Sequence, residues 1–329
     1  MGILPKMPRP SAAPSTRVMV LGDLTLDVVL APAVALVDGT DVPGRVLLRQ
    51  GGSAANAARW LARVGIRTTL VTAVGRDAEG RALVGALEGD GVRVRAVRAA
   101  GQRTGRIGIM VDPSGERSFV ADRGAADQLG PEDLRPAWFA GLDLLHLPAY
   151  SLLGERLGRA GVRAAELAHE RGALVTVDLA SVVPLMAAGR QAAFETVGAA
   201  RPDLVLATLD EARALGGPEG ERSLMRLAPV AVLKRGAAGA IVLVAGAGGA
   251  IRFDVPARPV QTADTTGAGD AFDAGFIAGW LAARRDGIGH VATLRRAVLA
   301  GHRLASRHLT SARPELRLGQ SATRLRHRR

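Results

Sequence analysis

The stretch ADTTGAGDAF, residues 263–272, has residue types and a spacing that could do chemistry. Two glycines two positions apart precede Asp270, and an apolar run with Phe272, Phe276 and Trp280 at four-residue spacing follows. That pattern predicts a tight turn opening into a helix with one buried face. N–H groups at a helix start attract anions, and glycine lets a ligand approach them closely. A carboxylate at this point is either an ordinary first-turn acid facing the helix dipole or a base held beside a phosphate. Phosphoryl transfer to an alcohol needs three things: stabilised charge on the transferred group, a base for the hydroxyl, and a metal-bound nucleotide. The N–H groups of residues 267–270 could supply the first and Asp270 the second.

The elements that must position these groups alternate along the chain. Short apolar runs at 17–21, 70–74, 144–147, 173–178, 203–207 and 230–234 read as buried strands. Between them lie helical patterns, among them 53–64, with Ser53 as its cap and Gly65 as its stop, and 77–91. Repeated strand–helix units predict a mostly parallel sheet covered by helices. Residues 41–50 and 103–122 break the rhythm. Both read as strands, the second as a hairpin around residues 112–115, and neither is followed at once by a crossover helix. They predict a small β-sheet projecting from the main domain.

The 329 residues are 48% hydrophobic but only 3% aromatic, so a large core must be built from Ala, Val and Leu. One domain is expected over residues 17–312, with a flexible Pro-rich tail at 1–16 and a basic tail at 313–329. Much of the net charge of +12 sits at that end, since residues 311–329 hold six arginines and one glutamate. No basic stripe is interleaved with aromatics, so a solvated tail is expected rather than a nucleic-acid platform. There is no cysteine, and therefore no disulfide framework or thiolate metal site. No run approaches a membrane span, and a cytoplasmic protein is the simplest expectation. All the basic residues but Lys6 and Lys234 are arginine, and Asn56 is the single asparagine, so Lys234 and Asn56 stand out. A Walker-type P-loop and a G-x-G-x-x-G turn after the first strand are both missing, which leaves residues 267–270 as the anion cradle.

The string DTTGAGDAF closely resembles the C-terminal signature of the PfkB (ribokinase-like) carbohydrate kinases, and other motifs follow in the family's order. Gly51-Gly52-Ser53-Ala54-Ala55-Asn56 resembles its N-terminal glycine pair and asparagine. Gly75-Arg76-Asp77 with Gly80 resembles its G-x-D-x-x-G turn, and Gly115-Glu116-Arg117-Ser118 its lid hairpin. Leu233–Ala240, LKRGAAGA, resembles its nucleotide turn. The resemblance implies a ribokinase-like three-layer α/β/α sandwich with a mostly parallel central sheet and a small projecting β-sheet lid. It implies ATP and Mg²⁺ as cofactors and a sugar hydroxyl as acceptor. By position, Asp270 matches the catalytic base, and Gly267, Ala268 and Gly269 match the anion hole. Asp27, Gly52, Ser53 and Asn56 match sugar contacts, while Lys234, Gly236, Gly239, Thr208 and Gly269 lie where the family meets the nucleotide.

Departures narrow the expectation. The family's N-x-x-E motif, which influences Mg²⁺, appears as Thr208-Leu209-Asp210-Glu211, keeping Glu211 and losing the asparagine; Thr25 likewise replaces a frequent asparagine. Asp264 and Thr266 match one side of a monovalent-cation site. The glycine that completes the other side is missing from ASRHLTSARP, which argues against K⁺. The two lid segments contain one aromatic residue, Phe119, which favours a sugar over a nucleoside such as adenosine. Arg123 resembles an arginine that binds the carboxylate in 2-keto-3-deoxygluconate kinases and keeps a sugar acid open. A non-catalytic sugar-binding regulator on the same fold is the reading that the retained Asp270 disfavours. Lid-mediated homodimers are also implied. His146 is expected to be a partly buried structural residue, and His302 and His308 to be surface residues.

Overall fold

The computed structural model describes residues 16–246, 249–260, 262, 264–287, 289–311 and 314–318. Residues 1–15 and most of the basic tail, for which free tails were expected, lie outside the described residues. In chain order the first half comprises β1 (Arg17–Leu21), β2 (Thr25–Pro32), β3 (Gly44–Gly51), α1 (Ser53–Arg63), β4 (Arg67–Gly75), α2 (Ala78–Gly89), β5 (Arg93–Ala99), β6 (Arg106–Val111) and β7 (Arg117–Asp122). Then come β8 (Leu144–Pro148), α3 (Glu155–His169), β9 (Leu174–Asp178), α4 (Val182–Leu185), α5 (Arg190–Ala199), β10 (Leu204–Thr208) and α6 (Leu209–Gly216). The last elements are β11 (Val230–Lys234), β12 (Ala240–Val244), β13 (Ile251–Val255), α7 (Ala268–Arg285) and α8 (His290–Leu309).

Nine strands form the central sheet in the order β13-β12-β11-β10-β9-β8-β1-β4-β5, parallel throughout except at one edge, where β12 pairs antiparallel with both β11 and β13. The strands read as near-continuous apolar runs because both faces are covered. Successive residues feed opposite cores. Val205 and Ala207 of β10 pack toward the cluster that holds Leu157 and Leu215, whereas Leu204 and Leu206 pack toward Phe276, Trp280 and Leu294. The two layers of helices and the sheet between them are the expected sandwich. At the far edge β5 carries Arg93, Arg95 and Arg98, charges that discourage edge-to-edge pairing.

The projecting sheet has the order β3-β2-β6-β7. β2 pairs antiparallel with β3 and parallel with β6, and β6–β7 is the expected hairpin. Its turn is closed by Asp112, whose side chain accepts from Glu116 N at 2.9 Å and Ser114 Oγ at 2.6 Å. One strand of this lid was not expected. The first strand ends at Leu21, as expected, and Asp27 lies inside the separate strand β2. The apolar run TLDVV looks like a continuation of β1, but the chain turns at Gly22-Asp23 and enters the second sheet.

The tail was expected to be free from residue 313. The described part is docked: Leu316 N donates to Leu48 O of β3 at 2.8 Å, and the Leu316 side chain packs on the core. Among the described residues, no helix is long and apolar enough to cross a membrane.

Candidate active site

The DTTGAGD turn ends in Gly267, the cap of α7, at φ 80°, where a side chain would be strained and would stand 3.3 Å from the His308 ring. Gly269 and Asp270 occupy the second and third helical positions, so their N–H groups have no carbonyl a turn back within the helix. Ala268, expected to donate to an anion, instead turns its N–H to Thr265 O at 3.1 Å and closes the turn.

Asp270 points at the start of α1. Its Oδ1 accepts from Ser53 Oγ at 2.6 Å and its Oδ2 from Asn56 Nδ2 at 2.9 Å. Ser53 was expected to cap α1. The cap is Gly52, at φ 95°, whose missing side chain leaves room for the Asp23 carbonyl, so the Ser53 hydroxyl is released to the carboxylate. Asn56 is fixed in turn by Gln50, whose Nε2 donates to its Oδ1 at 3.1 Å. Desolvation is the largest influence on the Asp270 carboxyl. The hydrogen bonds from Ser53 and Asn56 oppose it, the Asp178 charge reinforces it, and the result is pushed up to about 7. A carboxylate that is half ionised near neutrality and held by two donors is suited to taking a proton from a hydroxyl.

Beneath the turn, the carboxyl ends of three adjacent strands converge. Lys234 at the end of β11 donates to Asp178 at the end of β9 (2.7 Å) and to Asp273 of α7 (3.1 Å). Burial alone would lower the Lys234 pKa, but Asp178, Asp273 and Glu211 outweigh it and raise it, so the ammonium stays charged. At the end of β10, Thr208 and Glu211 form a capping box. Glu211 Oε2 accepts from Thr208 N at 2.7 Å, and Thr208 Oγ1 accepts from Glu211 N at 3.2 Å.

Residues 15–315 match the family described as pfkB family carbohydrate kinase. The chain belongs to the PfkB family of carbohydrate kinases. It is 33% identical over 277 residues to a fructokinase of Klebsiella pneumoniae, covering 81% of this chain and 85% of that protein. It is 32% identical over 239 residues to an ATP-dependent ribose-1-phosphate kinase of Halopiger xanaduensis, covering 70% and 73%. The solved adenosine kinase of Sinorhizobium meliloti superposes with a TM-score of 0.76 at 25% identity, over 90% of this chain and 94% of that one.

In this PfkB kinase the expected nucleotide residues occupy distinct settings. Gly236 is exposed in the turn between β11 and β12, and Gly239 (φ 92°) closes that turn where a side chain would strike the Val255 carbonyl. Lys234, expected where the family meets the nucleotide, turns its ammonium inward between two carboxylates, 3.6 Å from where a Gly269 side chain would begin.

The acceptor candidates split into two groups. Asp27 of β2 lines the same cleft as Asn56. Arg123 is held by Asp127 (Nε to Oδ1, 2.6 Å) and faces Asp23 at 3.6 Å, with its guanidinium over the Tyr150 ring. Two carboxylates therefore already neutralise the charge that was expected to bind a sugar carboxylate. Its buried Nη2 has no partner among the described residues and is left to donate to a hydroxyl.

Asp264 and Thr266, matched to one side of a monovalent-cation site, have protein partners: Asp264 pairs with Arg117 at 2.6 Å, and the Thr266 carbonyl is 2.7 Å from His308 Nε2. His308, read as a surface residue, is half-buried with its ring edge-on to Trp60. His302 is half-buried against Phe272, and His146 is fully buried, with Nδ1 3.0 Å from Thr176 Oγ1.

Among the described residues, no group of three His, Asp or Glu side chains could hold a metal by itself. The donor set fits a Mg²⁺ that arrives on nucleotide phosphates and borrows one carboxylate. Desolvation and the Asp178 charge raise the Glu211 pKa, and burial, with the Asp178 charge, raises that of Asp273.

Sequence reasoning missed Asp23, Tyr150, Asp178, Asp273 and His308. For Asp178 there was a signal, an acid at the carboxyl end of a predicted parallel strand, where open α/β sheets bind ligands.

Proposed function

We propose that this carbohydrate kinase transfers the γ-phosphate of ATP to a hydroxyl, primary by preference, of a sugar, with Asp270 as the general base. The observation that carries this reading is the Asp270 carboxyl, pushed up to about 7 and held by Ser53 and Asn56 at the mouth of the α7 anion cradle. Asp270 takes the hydroxyl proton as the acceptor oxygen bonds to the γ-phosphorus. The bond from that phosphorus to the bridging oxygen breaks, and ADP leaves. The Gly269 and Asp270 N–H groups steady charge on the phosphoryl group in transit, with the Lys234 ammonium beneath them. Mg²⁺, when bound with Glu211 nearby, would neutralise phosphate charge and hold the nucleotide in line. Asp27, Asn56 and Arg123 Nη2 orient the acceptor, and closure of the lid over the cleft excludes water.

A nucleotide-dependent sugar kinase of this kind acts in the cytoplasm, where ATP is made. A homodimer through the lid is supported by the exposure of Val46 on β3 and of Phe119 and Val120 on β7. The test is a coupled assay of ADP release over pentoses, hexoses, sugar acids, sugar phosphates and nucleosides, run on wild type and Asp270→Asn. Turnover with a sugar that depends on Asp270 supports the reading. ATP turnover confined to nucleosides, or none with any acceptor, contradicts it.

A further inference from the structure

The cleft beside Asp270 has a charge that phosphoryl transfer to a neutral sugar does not require. It has a volume of about 250 Å³ and lies between the lid, α1 and the end of α8. Its inner end reaches Gln50, Asn56 and Gly267, so it begins one side chain from the base. Five arginines line it, namely Arg45, Arg49, Arg59, Arg63 and Arg117, against the carboxylates of Asp27 and Asp264.

The pairing of these arginines leaves a surplus. Asp90, behind the cleft, is shared by Arg59 (2.6 Å) and Arg63 (2.8 Å). Asp264 is shared by Arg117 (2.6 Å) and Arg49 (3.7 Å). The two trios therefore set four arginines against two carboxylates, and Arg45, exposed on β3, adds a fifth; Asp27, opposite Arg49 in the β2–β3 register, is the third carboxylate, so a surplus of two positive charges remains. Arg59 is mostly enclosed, with its side chain 15% exposed. Burial and the charge of Arg63 lower its pKa against the pull of Asp90. Enclosed like charges are costly unless an anion joins them.

The positions also give a length. Arg59 and Arg63 follow Asn56 on α1 by three and seven residues, hence by about one and two helical turns, or about 5 and 10 Å along the axis. An acceptor that offers a hydroxyl at Asp270 and an anionic group one to two turns away spans one sugar ring.

We infer that the acceptor is an anionic sugar, a phosphate ester or a sugar acid, whose charged group is bound by the arginines of this cleft. Guanidinium groups suit either anion because their N–H fork matches its oxygens. The inference rests on the kinase reading above and narrows it. It also moves the anion-binding role from Arg123, which two acids neutralise, to the other side of Asn56.

The experiment compares matched acceptors in the coupled assay: ribose with ribose 1-phosphate and ribose 5-phosphate, fructose with fructose 6-phosphate, and glucose with gluconate. At least one anionic member should exceed its neutral partner in kcat/KM by about tenfold or more, the scale of one charge-assisted contact. The preferred anion then tells phosphate ester from carboxylate. Arg59→Gln should lower kcat/KM for that acceptor about tenfold more than for the neutral sugar. Arg45→Gln, on the exposed edge of the lid, tests the same point if the loss of Arg59 unfolds the protein. Asp270-dependent turnover that favours neutral sugars, or variants that weaken both acceptors equally, would overturn this inference while leaving the kinase reading intact. No Asp270-dependent turnover with any acceptor would sink the kinase reading itself.

Discussion

Asp270 shows how one environment makes a residue both useful and costly. Desolvation raises its pKa from the model-compound value of 3.8 to about 7, so at neutral pH a good part of it is ready to accept a proton. The same shift works against stability. A carboxyl whose folded pKa is raised binds its proton more tightly in the fold, so stability declines as pH rises from about 4 toward 7. Asp270→Asn should therefore raise Tm at pH 8 by a few degrees, and the gain should vanish near pH 4. Equal Tm values at pH 8 by calorimetry would mean that the carboxylate is not under strain. In the acceptor group, Asp27→Ala should raise the acceptor KM tenfold to a hundredfold, since a buried hydrogen bond to a charged group is worth about 1.5–3 kcal/mol. Calorimetry should find ATP affinity nearly unchanged, and a collapse of ATP binding would reverse the assignment of the two pockets. Asp270 and Asn56 were legible because a local motif and a compositional rarity mark them. Asp23 and His308 were not, because each is an ordinary residue made special only by neighbours far away in sequence.

At the scale of elements, the strand–helix alternation was legible because parallel strands buried on both faces are continuous apolar runs. The inner strand β2 of the lid was hidden, since it follows β1 after only three residues and is as apolar. Asp77 fixes the base of this lid. It caps α2 through Gly80 N and also accepts from Thr104 N (2.7 Å) and Thr104 Oγ1 (2.5 Å), just before β6. The C-terminal segment braces the opposite edge through Leu316 and β3. Deleting residues 319–329, which leaves Leu316 and Pro314 in place, should leave kcat/KM within about threefold. Deleting 314–329 removes the Leu316 brace and the Pro314 wall of the cleft, and should raise the acceptor KM severalfold. Identical kinetics for the two truncations would show that the brace does not act on the lid.

At the scale of the whole molecule, the positive net charge has two components that composition alone merges. One is the basic terminus; the other is the arginine-lined cleft, assembled from β3, α1 and β7 and invisible to any linear count. The lid also exposes Val46 at one edge strand and Val120 at the other, at 65% and 77%. Light scattering should find a dimer at micromolar concentration, and Val46→Asp with Val120→Asp should shift it to monomer. A wild-type monomer under those conditions would leave the lid as a cover for its own cleft alone.

The central claim is that Asp270 removes the acceptor proton, and kcat of Asp270→Asn at saturating ATP and acceptor tests it most directly. The substitution keeps the size and helix position of the side chain and removes its basicity. A fall of about 10²–10⁴ is predicted, the usual contribution of general-base catalysis, in a folded protein that still binds both substrates. Retention of more than about a tenth of wild-type kcat would contradict the account and leave orientation and metal to carry the reaction.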